Sequence, residues 1–342
     1  MSSQRLLYRY NLDRDYFVPF VQIFQPLYGV AIIPLHMTAF CLLICHTKKW
    51  AKSIRAGYLL TQMIMLGDDL WTCLLFRGYI FLPNPIAMCT GPVCGWIGPS
   101  NSLTMEHFFM IHAIGFFQLS LFLMQQQVAK LNSSYVIPKR AQLIVVGLIY
   151  AALWANVVAS ILTSGDVPDA AAIVERQGLE WLRSVDNVRI VVFGEVGNCG
   201  IYRYGNQLDL FAAFYIALIL PIRYLLIGTS VRLLHQQSAS TTRAVKMRKL
   251  YISVLLRQTS ILSFLLVYPL LLTIIAFQYQ IDYLPDALLA CIRIGAVVAH
   301  MSQSIPQFCV LISANKSFQK ILFAKFCQWN RKTTVQMSLV LN

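Results

Sequence analysis

Charge is scarce in this chain. Only 12% of its 342 residues are Asp, Glu, Lys or Arg, about half of what a soluble domain carries. An ordinary water-facing surface is therefore excluded for a chain of this length. Acidic residues are the scarcest, 14 against 28 basic ones. Lysine is missing from all but four short stretches, and those stretches hold no Asp or Glu. There is no Cys-x-x-Cys pair, and the six histidines are scattered. His107 and His112, at i and i+5, do not share a helical face, so their spacing excludes a two-histidine zinc pair and no metal is expected. Gly-rich phosphate loops, a Gly-x-Ser-x-Gly elbow and Cys/His nucleophile patterns are also missing. Neither a cofactor nor an enzymatic activity is expected. The net charge of +14 invites nucleic acid as a partner, but no aromatic–basic groove or zinc spacing accompanies it, so none is expected.

What the chain does have is apolar length. Hydrophobic residues make up 57% of it, more than one core can hide, so much of the surface must face lipid. Windows near 20–45, 56–82, 104–129, 141–163, 207–233, 250–280 and 286–314 each reach the roughly 20 residues of a membrane span. Gly57 and Gly67 interrupt the second window, and Pro221, Pro269 and Pro306 interrupt later ones. Membrane helices tolerate both residue types because neighbouring groups satisfy the freed backbone.

Charge orients the spans. With the N-terminus outside, the inner segments are 46–55, 130–140, 232–249 and 315–342, which contain every lysine and none of the 14 acidic residues. Lys48, Lys49, Lys52 and Arg55 stand in the first, and Lys130, Lys139 and Arg140 in the second. Arg243, Lys246, Arg248 and Lys249 cluster in the third, and Lys316, Lys320, Lys325, Arg331 and Lys332 in the last. Positive loops are retained on the cytoplasmic side during insertion. The expected fold is an all-α membrane protein, a seven-transmembrane helix bundle with its N-terminus outside and a short amphipathic helix after the last span. Its division is 1–19 extracellular N-terminus, 20–314 seven-helix transmembrane domain, and 315–342 cytoplasmic amphipathic helix and tail. The first span is expected to act as its own insertion signal, because Arg5, Arg9, Asp13, Arg14 and Asp15 do not suit a cleaved leader.

The tail alternates basic and apolar residues from Lys316 through Phe318, Lys320, Leu322 and Lys325 to Cys327. That spacing suits a helix lying on anionic lipid of the inner leaflet, with Cys327 as a palmitoylation candidate. The 164–206 connection is mixed in charge, with a short helix expected within 169–184 and a strand at 188–193. Cys89, Cys94 and Cys199 fall in outer segments, where disulfides form. A bridge from the 89–94 loop to Cys199 is expected, with Cys94–Cys199 the first choice and Cys89 the open alternative.

Ionisable groups inside spans are costly and mark functional candidates. Asp68 and Asp69 lie in the second window, about 20 Å below its outer end at 1.5 Å per residue, and His300 lies at similar depth in the seventh. An Asp69–His300 contact, direct or through water, is expected, and Asp68, Asp69 and His300 are the candidate core switch. Arg77 and Arg293 stand nearer the outside, free to meet an anionic ligand, to pair with Asp282, Asp286 or Glu106, or to snorkel to headgroups. Arg77, Glu106, His107 and Arg293 are the ligand-binding candidates.

Several short patterns carry a resemblance. Pro34-Leu-His36 precedes the basic loop, Tyr58-Leu-Leu-Thr-Gln62 leads to Asp68-Asp69-Leu-Trp71, and Phe81-Leu-Pro83-Asn-Pro85-Ile-Ala87-Met-Cys89-Thr-Gly91 closes the first outer loop. His300 and Ser304 then precede Lys316-Ser-Phe318. This succession resembles the nematode serpentine chemoreceptors, class H and class I. Met124-Gln-Gln-Gln127 stands where such receptors often carry an arginine, and Lys316-Ser-Phe318-Gln319 replaces their usual Pro-Tyr-Arg ending. The resemblance implies a G-protein-coupled chemoreceptor in the plasma membrane of a sensory neuron, at its cilium. An odorant or small metabolite would bind the outer half of the bundle. A heterotrimeric G protein would meet the basic inner face at Lys139, Arg140, Lys246, Arg248 and Lys249. A small-solute transporter is the alternative, opposed by the lack of self-similarity between the two halves.

Overall fold

The computed structural model describes residues 10–47, 52–81, 84, 86–130, 136–163, 170–192, 220–236 and 284–313, with parts of 253–267 and 315–324. Cys199, Lys246, Arg248, Lys249, Asp282 and Cys327 lie outside the described residues. Long helices dominate. A π-helical stretch, Asp13–Phe17, runs without a break into α1, Val18–His46. Pro19 sits in the first turn of α1, where a missing N–H leaves no bond unmade. Ahead of α1, Tyr10 and Asp13 are buried. Helix α2, Lys52–Leu70, widens into π-helical turns at Trp71–Phe76 and stops at Arg77, which adopts a left-handed φ of 51°. The apolar window drawn to residue 82 is thus helical only to Phe76, and its last residues enter a sheet.

That sheet was not foreseen in the first outer loop. Strand β1, Gly78–Ile80, pairs antiparallel with β2, Ile86–Cys89. Strand β3, Arg189–Val192, joins on the other side of β2, within the stretch expected to be extended. Between β2 and the long helices come α3, Pro92–Trp96, then α4, Pro99–Ala129, and α5, Lys139–Thr163. The 169–184 stretch holds α6, Ala170–Arg176, and a 3-10 turn at Glu180–Ser184. Then follow α7, Leu220–Gln236, α8, Asp286–Ser302, and α9, Ser304–Ser313. Helices α8 and α9 meet at 41°. Pro306 explains the bend, since it has no N–H to offer the Ser302 carbonyl four residues back.

Apolar side chains divide into two main cores. One fills the bundle, with Leu42, Leu43, Tyr58, Met65, Ile111, Phe117 and Leu153 among its members. The other lies beneath the sheet, where Tyr10, Val21, Tyr79, Phe81, Ile86, Leu179 and Leu182 close one end of the bundle as a cap. Among the described residues, Asp13–His46, Arg55–Phe76 and Pro99–Gln127 are long and apolar enough to cross a membrane, and the bent α8–α9 pair qualifies if taken as one span. Helices α2 and α4 approach closely where Gly57 faces Ser120, whose hydroxyl also meets Thr61 at 3.3 Å.

The turn that joins sheet to bundle depends on one glycine. Gly91 donates its N–H to the Phe76 carbonyl at 2.8 Å. A Cβ at Gly91 would stand 1.7 Å from the Leu75 carbonyl oxygen and 2.6 Å from that of Phe76. Both obstacles are backbone, so no rotamer change relieves the clash. Gly91→Ala is expected to destabilise by at least ~1–3 kcal/mol, as overpacking does. Flow cytometry of the tagged protein should show most of its surface signal lost. Gly95→Ala is the matched control, since nothing lies within 4 Å of its added methyl.

Candidate functional site

Where α2, α4 and α8 converge, three ionisable side chains meet inside the bundle. Asp68 comes from α2, Glu106 from α4 and His300 from α8. His300 Nε2 lies 3.0 Å from Glu106 Oε1 and 3.9 Å from Asp68 Oδ2. Thr72, one turn beyond Asp68 on the same face of the helix, donates its hydroxyl to Glu106 Oε1 at 2.7 Å. Gln303, at the α8–α9 bend, donates its amide to Asp68 Oδ2 at 2.8 Å. Asp68 and Glu106 are 1% and 6% exposed, yet Asp68 Oδ1 and Glu106 Oε2 have no hydrogen-bond partner among the described residues. Glu106 lies two turns into α4, about 10 Å from its capped end at 1.5 Å per residue.

Asp69 takes a different partner from the one expected. It points toward α1 and meets His36 Nε2 at 2.7 Å, with Gln62 against the other ring nitrogen. The expected Asp69–His300 contact is replaced by His300 with Asp68 and Glu106. Neighbours in sequence are turned by about 100° on a helix, so adjacent aspartates serve two separate helix contacts. His36 was visible in the sequence only as part of the Pro34-Leu-His36 pattern.

The cap is locked by a buried ion pair. Arg293 of α8 donates Nε to Asp13 Oδ1 at 2.9 Å and Nη2 to Asp13 Oδ2, with both side chains fully buried. Tyr79 of β1 donates its hydroxyl to Asp13 Oδ1 at 2.5 Å. The Arg293 guanidinium stacks 4.9 Å from the centre of the Tyr10 ring. Burial and the adjacent Asp13 carboxylate raise the Tyr79 pKa, so the phenol stays a donor at physiological pH. Arg293 takes Asp13 as an ion-pair partner, and at 1% exposure it does not snorkel.

The remaining candidates are spread around this core. Arg77 donates Nη2 to the Thr90 carbonyl at 2.6 Å and so fastens α2 to the loop after β2. His107 is buried, and its Nδ1 has no hydrogen-bond partner among the described residues. Cys89 and Cys94 are bridged to each other, which replaces the expected Cys94–Cys199 pairing. The turn at Gly91 folds the end of β2 back on α3 and brings their Cα atoms to 6.2 Å. At the far end of α4, Gln126 accepts the Ile137 N–H at 3.0 Å and holds the loop ahead of α5. Lys139 and Arg140 open α5. Sequence reasoning missed Asp13, Thr72 and Gln303 as partners in these networks.

A helical bundle with charge buried between candidate spans, capped at one end by its loops, is the architecture of a multi-pass membrane protein. The chain matches the serpentine-type 7TM GPCR chemoreceptor Srh family over residues 19–328, and it belongs to that family. It is therefore not of an enzyme family. No individually curated protein matches the chain.

Proposed function

We propose that this receptor senses a small odorant or metabolite from the capped side of the bundle and activates a heterotrimeric G protein at the opposite, basic face. The observation that carries this reading is the buried Asp68–Glu106–His300 contact between α2, α4 and α8. Charge this deep in a membrane protein is kept where it serves function, and it joins helices that a ligand can bias. Glu106, His107 and His300 are the polar groups offered to the ligand, with Arg77 and Arg293 holding the cap above them. A ligand that binds one arrangement of these helices more tightly shifts the population toward it. Lys139, Arg140, Lys246, Arg248 and Lys249 would face the G protein and the anionic inner leaflet. Cys327 is the proposed lipid attachment point, and the plasma membrane of a sensory cilium is the proposed location.

A calcium-reporter screen of odorants and small metabolites in cells expressing the chain tests the reading. A saturable response that requires a co-expressed G protein is expected. Uptake of the same compound into vesicles, without any G-protein signal, would instead mark a transporter.

A further inference from the structure

We propose that Asp68, Glu106 and His300 form a binding site for one divalent cation of the zinc or manganese kind, clamped between α2, α4 and α8. No spacing along the sequence announces it, because each ligand comes from a different helix. One ligand atom from each residue falls within 4.8 Å of the others. His300 Nε2 stands 3.0 Å from the Glu106 oxygen and 3.9 Å from the Asp68 oxygen. A tetrahedral ion with bonds of about 2.0–2.2 Å sets its ligand atoms roughly 3.3–3.6 Å apart. Small side-chain adjustments bring these three to that geometry.

A second observation points to a missing ligand. Among the described residues, the other oxygen of each carboxylate, Asp68 Oδ1 and Glu106 Oε2, has no partner although both side chains are more than nine-tenths buried. The Gln303 carbonyl oxygen beside them is also unsatisfied. Buried polar atoms without partners are uncommon and costly. Charge argues the same way. With both carboxylates ionised and the imidazole neutral, the ligand set would carry −2 in a low-dielectric interior, and a divalent ion would cancel it. One imidazole with two carboxylates selects zinc or manganese over magnesium or calcium. Thr72 on Glu106 and Gln303 on Asp68 hold the ligands in place, as outer partners of metal ligands do.

The test needs no odorant, so its failure is separate from failure of the receptor reading. The full chain, purified in lipid nanodiscs and stripped with chelator, is titrated with zinc chloride and with manganese chloride by calorimetry. One saturable equivalent is expected. Glu106→Gln, which keeps the size and the acceptor for Thr72, should weaken it at least a hundredfold, and His46→Ala on the exposed end of α1 should leave it unchanged. Zinc-edge X-ray absorption of the wild-type protein provides a readout that does not depend on a variant folding. One imidazole with oxygen neighbours is expected there. A sulfur shell, binding indifferent to Glu106→Gln, or no stoichiometric binding would each overturn the site.

Discussion

Replacing Arg293 with alanine should cost about 3–5 kcal/mol, the usual penalty for stripping one partner from a buried ion pair. Asp13 would be left as an anion with only the Tyr79 hydroxyl and no cation, at a position with no access to water. Against a typical total stability of roughly 5–15 kcal/mol, that loss should remove most folded receptor from the cell surface. Asp13→Ala should do the same by stranding the guanidinium. The double variant Asp13→Ala with Arg293→Ala should lose clearly less than the sum of the two single losses, because neither charge is then left stranded without its partner. Thermal unfolding of the detergent-solubilised protein, compared across the four forms, gives the coupling between the two sites. If the two single losses simply add in the double variant, the pair is not a coupled unit and the cap is held by its apolar core alone.

The second large effect concerns signalling. His300→Ala, compared at matched surface expression, should shift the dose–response curve for an identified ligand at least tenfold, which corresponds to about 1.4 kcal/mol. The imidazole joins α8 to Glu106 and Asp68, so its removal uncouples the helix a ligand would move. Asp69→Asn should behave differently. Asn keeps an oxygen for His36, and its contact is with α1, so a loss of surface signal should precede any shift in response. Equal dose–response curves for wild type and His300→Ala would remove the core contact from the mechanism while leaving the fold intact.

Much of this architecture was legible in the chain, for reasons that can be named. Continuous apolar runs must be spans when charge is this sparse, and α1, α4 and α5 follow the windows read for them. The strand at 188–193 and the helix within 169–184 were visible because their patterns are local. Depth along a helix follows from residue count alone, so Asp69 could be set level with His300, but which of two adjacent aspartates faces α8 depends on rotation about the helix, and it is Asp68. What escaped depends on partners distant in sequence. Asp13 and Arg293 are 280 residues apart, and nothing near either names the other. Strands β1 and β2 are too short to show alternation, so β1 read as the end of the second span and β2 as part of the first outer loop. The Cys89–Cys94 pair was hidden for a related reason: it depends on the Gly91 turn, a backbone approach that only coordinates reveal.

The most direct measurement is one of sidedness. Every lysine of the chain lies in segments assigned to the cytoplasm, and the cap, the buried carboxylates and the ligand are assigned to the opposite end. An epitope tag placed before Met1 should be stained on intact cells, and one placed after Asn342 only after permeabilisation. The reverse pattern, with the last residues stained on intact cells and the first concealed, would contradict the account.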